Sequence, residues 1–143
     1  MTEQLASVAA LIEDFTSLGV KDRLMLLLEF SDNLPQLPAR YADHPDLLER
    51  VEECQSPIFL FVEVDEQKAV HLFFTAPAEA PTTRGFASVL HEALDGKSAD
   101  EVLSVSEDFP NQLALAEAVS PLRMNGMRAM LRRIKRQVAE KSA

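Results

Sequence analysis

The sequence predicts an α+β domain in which a small antiparallel sheet of about three strands is flanked by helices at the N- and C-terminal ends. Amphipathic helical spacing occurs near both ends, and two β-rich segments separated by a polar tetrapeptide lie in the middle. The 143 residues fit a single domain, residues 1–143. An apolar content of 47% suits a core that needs no disulfide or metal.

Two helices are predicted before the sheet. The first covers about residues 3–17 and carries an apolar stripe at spacings of three and four, made of Leu5, Val8, Ile12 and Phe15. The second covers about residues 21–33 and turns three leucines inward, namely Leu24, Leu27 and Leu28. The prolines in residues 33–38 end it, because proline is incompatible with the preceding helical turn.

The strongest strand predictions are residues 58–64 and 69–75, joined by a hairpin loop at 65–68. The first strand is apolar on both faces, so we expect it in the centre of the sheet. Residues 39–53 leave two alternatives open. A short helical turn can begin at Pro45, and a short strand can form over residues 48–52.

Helices follow the sheet. Thr82 or Thr83 is expected to cap a helix that ends at Asp95-Gly96 and has an apolar face made of Phe86, Val89, Leu90, Ala93 and Leu94. Ser98 and Glu101 form a capping-box pattern for a short turn. A further short helix is predicted from Phe109-Pro110 through Ala118.

The last helix begins with Ser120 as N-cap and Pro121 at its first position. Its apolar stripe consists of Met124, Met127, Leu131, Ile134 and Val138, and its other face is rich in arginine and lysine. Gly126 interrupts it at a cost of about 1 kcal/mol relative to alanine, which indicates the close approach of another backbone. Arg123 stands in the first turn, where a cation opposes the helix dipole.

Charge is distributed unevenly along the chain. Residues 1–122 carry a net charge of −15 and residues 123–143 a net charge of +6, within a total of −9. The acidic body repels phosphate, so we expect no nucleic-acid partner. The basic last helix is either a solvated face or a docking face for an acidic partner.

No apolar run is long enough to cross a membrane, and the first residues lack the pattern of a signal peptide. We therefore expect a cytoplasmic protein with no membrane partner. His44, His71 and His91 lie far apart in sequence and show no ligand spacing, so no metal site is expected. No phosphate-binding glycine loop is present in the sequence.

Cys54 is the single cysteine, and it lies where a charged segment gives way to an apolar strand. Pro57 suits the start of that strand, which places Cys54 in a loop. A lone cysteine is often only a small buried apolar residue, but this polar setting also suits a reactive thiol. Glu52 and Glu53 oppose its ionisation and Arg50 favours it, so the local sequence provides no strong activation.

Two segments together resemble the SufE family of sulfur-acceptor proteins, which includes CsdE. They are Cys54-Gln55-Ser56 at the entry to an apolar strand and residues 120–127, with the sequence Ser-Pro-Leu-Arg-Met-Asn-Gly-Met. Residues 34–38 and the helix start at Arg84-Gly85-Phe86 follow the family's order, so the likeness covers nearly the whole chain. The resemblance implies a compact α+β fold.

The resemblance also implies a function. Cys54 would accept sulfur from the persulfide of a cysteine desulfurase, SufS- or CsdA-like, stimulate that enzyme, and deliver the sulfur to an iron–sulfur scaffold protein. Pyridoxal phosphate is expected in the desulfurase, and this chain would need no cofactor of its own. It would be a transfer protein and activator rather than a free-standing enzyme, either monomeric or homodimeric.

The resemblance assigns further residues to the surroundings of the cysteine. Arg123 would supply a cation for the Cys54 anion, Gln55 would shape the loop, and Glu79 would lie in a loop that contacts it. Glu53 stands where the family usually has glycine, which restricts the loop and adds charge beside the thiol. The alternative function is a non-catalytic interaction domain that docks through its basic C-terminal helix.

Overall fold

The computed structural model describes residues 5–143, and a three-stranded antiparallel sheet with flanking helices confirms the predicted α+β class. The elements before and within the sheet are α1 (Ala6–Thr16), α2 (Val20–Ser31), α3 (Ala39–Ala42), a 3-10 turn (Pro45–Leu47), β1 (Glu49–Arg50), β2 (Phe59–Val64) and β3 (Val70–Thr75). The elements after it are α4 (Pro81–Leu94), α5 (Ala99–Ser104), α6 (Phe109–Gln112), a second 3-10 turn (Leu115–Glu117) and α7 (Pro121–Ser142).

The sheet has the order β1-β2-β3, so β2 is central as predicted. The β2–β3 hairpin is in register throughout, with Phe61 opposite Phe73. Side chains alternate between its two faces, and Leu60, Val62 and Leu72 are buried on the inner one. Both alternatives for the segment before β2 are present, since the turn at Pro45–Leu47 is followed by the two-residue strand β1.

The core lies between the inner face of the sheet and helices α4 and α7. The predicted apolar faces of both helices are fully or almost fully buried. Helix α4 also packs closely on α2, because a Cβ atom at Gly85 would lie 2.5 Å from the Leu27 carbonyl oxygen. Glycine at position 85 is therefore required by helix packing.

Strand β1 is too short to pair with the whole of β2, and side chains of α7 hydrogen-bond the backbone of β2 beyond it. Strand β1 pairs only with Phe59 and Leu60. Beyond that point, the side-chain oxygen of Gln137 accepts a hydrogen bond from the Val62 amide at 3.0 Å, and the Lys141 ammonium donates to the Val62 carbonyl. Side chains of α7 thus satisfy backbone groups that would otherwise be unpaired.

Several boundaries differ from the predictions. Residues 3 and 4 of the first predicted helix lie outside the described residues. The expected cap at Thr82 or Thr83 is wrong, because α4 begins at Pro81 and no side chain caps it. The helix predicted through Ala118 ends at Gln112, since Ala114 adopts a left-handed backbone with φ of 57°. Helix α3 was not predicted.

The helix ends that depend on local side-chain hydrogen bonds agree with the predictions. Ser98 and Glu101 form a complete capping box at α5. The Ser120 hydroxyl accepts a hydrogen bond from the Arg123 amide at the start of α7. Among residues 5–143, no helix combines the length and the apolar character that a membrane span requires.

Candidate functional site

Cys54 lies in a loop of residues 51–58 between β1 and β2, called here the cysteine loop. A hydrogen bond of 2.9 Å from the Val51 amide to the Ile58 carbonyl closes the base of the loop. The Cys54 amide donates to the Val51 carbonyl at 3.1 Å, which forms a tight turn. Cys54 is only 7% exposed despite this loop position.

The sulfur of Cys54 packs directly against helix α7. A Cβ atom at Gly126 would lie 2.8 Å from the Cys54 Sγ and 4.0 Å from its Cα. The atom that requires glycine at position 126 is therefore a side-chain sulfur, and the backbone of Cys54 approaches less closely, at ordinary contact distance. This contact links the two segments that carry the family resemblance.

Cys54 lines a pocket of about 260 Å³. The pocket is lined by Glu53, Cys54, Gln55, Ser56, Thr83, Ser120, Leu122, Arg123 and Gly126. The structure thus brings three of the predicted site residues together, which are Cys54, Gln55 and Arg123. Glu79 is exposed and does not line the pocket. The residue that helix α4 contributes to the pocket lining is Thr83.

A cluster of ion pairs fastens the cysteine loop to α7. Arg133 donates to Glu49 at 2.5 Å through one terminal nitrogen and to Glu53 at 2.6 Å through the other. Arg136 and Gln137 also donate to Glu49. Since Glu49 precedes the loop and Glu53 is the neighbour of Cys54, one guanidinium group holds both sides of the turn.

The environment of Cys54 disfavours its thiolate. Burial, and to a smaller extent the charge of Glu53, raise the pKa of the Cys54 thiol to about 11, and Arg133 opposes that rise. A free cysteine has a pKa of about 8.5, so the thiol is protonated at neutral pH. Cys54 is therefore poorly nucleophilic in this conformation.

The cation that acts on the Cys54 thiol in this conformation is Arg133 rather than Arg123. Arg123 is exposed at the rim of the pocket, and its side chain forms no ion pair within residues 5–143. Sequence reasoning missed Arg133 because 80 positions separate it from Glu53. Two features of the sequence could have indicated this pairing. Arg133 lies on the basic face of α7, and a glutamate precedes Cys54 where the family usually has glycine.

Most of the basic face of α7 is occupied by contacts within the domain. Besides the ion pairs of Arg133 and Arg136, Lys135 donates to the Val105 carbonyl at 2.7 Å and Arg128 donates to Asn111 at 2.8 Å. Arg132 is exposed and forms no ion pair in the part of the chain described. A docking role for Arg133 would require breaking its pairs with Glu49 and Glu53.

Within residues 5–143, no three histidine, cysteine, aspartate or glutamate side chains are grouped as metal ligands would be. His71 pairs with Asp65 at 2.9 Å on the hairpin, and His91 lies 3.6 Å from Asp95. Neither of these two histidines lines the Cys54 pocket. Neither histidine is placed there to act as a base for the thiol.

Comparison with known proteins identifies the family. Residues 9–138 match the SufE family, described as an Fe-S metabolism associated domain. A SufE-like protein of Mycobacterium tuberculosis strain H37Rv is 50% identical over 135 residues, which are 94% of this chain and 93% of that one. The chain therefore belongs to the SufE family.

Two further relatives extend the comparison. SufE-like protein 1 of Arabidopsis thaliana, chloroplastic/mitochondrial, is 29% identical over 106 residues, which are 74% of this chain and 27% of that protein. A solution structure of a hypothetical protein from Thermus thermophilus has a TM-score of 0.84 and 36% identity, with 98% of each chain covered. At the family level, the role is in iron–sulfur metabolism and sulfur transfer.

Proposed function

We propose that this chain is a sulfur carrier that takes the persulfide sulfur of a cysteine desulfurase onto Cys54 and delivers it for iron–sulfur cluster assembly. The observation that carries the proposal is the position of Cys54, which lines an accessible pocket although the residue is almost fully buried. Its solitary thiol has no internal partner for a disulfide. A transferred sulfur would consequently remain on Cys54 until an acceptor removes it.

The transfer is an exchange between sulfur atoms. The Cys54 thiolate attacks the terminal sulfur of the desulfurase persulfide, a new sulfur–sulfur bond forms on Cys54, and the old one breaks. The cysteine thiolate of the desulfurase is the leaving group and takes up the proton that Cys54 lost. No external oxidant or reductant is needed, since the transferred sulfur keeps its oxidation state.

The resting conformation protects the thiol and must change for transfer. With a pKa of about 11, Cys54 is mostly protonated at neutral pH, and Gly126 covers one side of its sulfur. Movement of the cysteine loop away from α7 would hydrate the sulfur and lower its pKa toward that of a free thiol. That movement breaks the Glu53–Arg133 pair, which docking of the desulfurase would have to replace.

The partner would be a pyridoxal-phosphate desulfurase, SufS- or CsdA-like, and removal of its persulfide would stimulate its turnover. Arg123 is suited to assist at this stage because it lies at the rim of the pocket with no ion pair among residues 5–143. Gln55 is exposed beside Cys54 and would move with the loop. Delivery to the scaffold protein would repeat the same exchange in the opposite sense.

The test is to incubate the protein with a cognate desulfurase and cysteine, and to measure the mass of the intact chain without reductant. We expect Cys54 to gain one sulfur atom and the desulfurase to turn over faster. Cys54→Ser should abolish both effects while leaving the fold unchanged. An unmodified Cys54 in the presence of an active desulfurase would contradict the proposal.

A further inference from the structure

Thr83 is the feature of the Cys54 pocket that neither the fold nor the proposed transfer explains. It stands in the first turn of α4 and is only 7% exposed. It lines the same pocket as Cys54. Its hydroxyl takes part in no hydrogen bond with residues 5–143, and it does not cap its helix. The hydroxyl oxygen is not among the fully enclosed side-chain atoms without a partner, so it is open to the pocket, where a bound ligand would replace solvent.

The other polar groups of the pocket are less suited to hold a fixed ligand. Gln55 and Arg123 are exposed and surrounded by solvent. Ser120 is exposed, and its hydroxyl accepts a hydrogen bond as the N-cap of α7. Glu53 carries the wrong charge for an anion and is paired with Arg133. Ser56 also lines the pocket but is only half-buried and lies in the loop, so Thr83 is the most deeply buried neutral donor there and is held by helix α4.

The contact with Gly126 limits the directions in which the Cys54 side chain can be extended. Because a Cβ at Gly126 would lie 2.8 Å from the sulfur, an added atom has no room on that side. A persulfide adds a second sulfur at about 2.0 Å from the first. Cys54 and Thr83 line the same pocket without a hydrogen bond between them, and a second sulfur lengthens the Cys54 side chain within that space.

We infer that the Thr83 hydroxyl donates a hydrogen bond to the terminal sulfur of the Cys54 persulfide and holds it in the pocket between loading and delivery. This inference rests on the proposed function and adds a positioning residue to it. A hydrogen bond to the anion stabilises the charged form of the persulfide. Thr83 would then set how long the sulfur stays on the carrier, whereas Arg123 would act in exchange with the partner.

The experiment compares Thr83→Val, which removes only the hydroxyl from a similar shape, with Thr83→Ser, which keeps it. Thr82→Val is the matched control, because Thr82 precedes it on α4 and does not line the pocket. Each protein is loaded with glutathione persulfide in place of a desulfurase, and intact mass follows loss of the added sulfur to excess glutathione across a range of pH. Thermal unfolding verifies the fold of each variant.

We expect Thr83→Val to discharge its persulfide about tenfold faster and to raise the apparent pKa of the persulfide, the effect of losing one hydrogen bond to an anion. Thr83→Ser and Thr82→Val should behave as the wild type. Equal lifetimes and pH profiles for Thr83→Val and wild type would overturn the inference. So would a serine variant that fails to restore the wild-type lifetime although it is folded.

The design separates this inference from the proposed function. If glutathione persulfide loads Cys54 with the predicted dependence on Thr83 but no desulfurase does, the carrier function fails and the positioning role stands. If the desulfurase loads all variants and their persulfides decay equally, the carrier function stands and the positioning role is wrong. A loading defect of Thr83→Val that appears only with the desulfurase would indicate a docking role and also overturn the inference.

Discussion

The two loops at the ends of β2 are held in different ways. The hairpin of residues 65–68 is held mainly through its backbone, since the Asp65 carboxylate accepts hydrogen bonds from the Gln67 amide at 2.9 Å and the Ala69 amide at 3.0 Å. The Lys68 carbonyl also accepts a hydrogen bond from the Ala99 amide at 2.8 Å. The cysteine loop of residues 51–58 has short backbone bonds, but its tip is fixed by α7. Arg133 forms an ion pair with Glu53, and the sulfur of Cys54 packs against Gly126.

This difference shows how one loop can move while the sheet remains intact. The hairpin opens only if β2 and β3 separate, because its bonds continue the strand ladder. The cysteine loop opens when a few side-chain contacts with α7 are lost, and β2 keeps its pairing with β3. A carrier that shelters its sulfur and then transfers it needs a loop whose local opening costs little free energy.

The largest expected effect is the pH dependence of thiol alkylation at the cysteine loop. Because reaction needs the thiolate and the Cys54 pKa is about 11, the rate should rise about tenfold per pH unit from neutral pH until it levels near pH 11. Iodoacetamide labelling of the native protein measures it. A plateau near pH 8.5, the ordinary value for cysteine, would show that the loop is already open at rest.

Folding stability should change with the same titration. A raised thiol pKa means that the folded state favours the neutral form, so this contribution is complete below the unfolded pKa of about 8.5 and is lost as pH rises toward 11. Chemical unfolding at several pH values should show a decline in this window. Cys54→Ala should reduce that decline, and what remains is expected from Tyr41, whose pKa burial also raises. An undiminished decline in the variant would contradict the assignment to Cys54.

Gly126→Ala is expected to disturb the cysteine loop strongly. The new methyl group would meet the Cys54 sulfur, and overpacking of this kind costs about 1–3 kcal/mol of unfolding free energy. In a Cys54→Ala background the same change should stabilise α7 by about 1 kcal/mol, because alanine is the better helix former. Urea unfolding of the four proteins measures the coupling, and additive effects would contradict the contact.

Glu53→Gln should release the cysteine loop and remove a charge that opposes the thiolate. We expect alkylation of Cys54 near neutral pH to be about tenfold faster, which corresponds to a pKa lower by one unit. Glu52→Gln is the matched control, since Glu52 is exposed and has no ion pair within the described chain. Equal acceleration by both changes would mean that the Arg133 contact does not hold the loop.

The smallest effect is expected at the hairpin. Asp65→Ala removes the acceptor for two backbone amides and for His71, and it should lower the unfolding temperature modestly. The alkylation rate of Cys54 should stay unchanged, because no contact of the cysteine loop depends on Asp65. A marked change in thiol reactivity would show that the two ends of β2 are coupled.

The same distinction explains which features the sequence could predict. The capping box at Ser98 and the Ser120-Pro121 start of α7 depend on neighbouring residues, and both agree with the structure. The start of α4 was misplaced because Pro81 begins that helix without a side-chain cap, although two threonines follow it. The local sequence pattern was sufficient to predict a helix end where the hydrogen bonds that stabilise it come from neighbouring residues.

The site was only partly predictable for the same reason. The placement of Cys54 in a loop followed from Pro57 and its polar neighbours. Its burial, its contact with Gly126 and its pairing network through Arg133 arise from residues more than 70 positions away in the chain. No sequence pattern pointed to Thr83 as a site residue, because its proposed role depends on its lying in the same pocket as Cys54.

The most direct test of the account is a single-turnover transfer at neutral pH from a desulfurase that already carries its persulfide. We predict that one sulfur atom moves to Cys54 promptly, although iodoacetamide scarcely labels the same thiol when the protein is alone at that pH. Sulfur that stays on the desulfurase in the presence of wild-type protein would contradict the account. Equal transfer to Cys54→Ser would do the same.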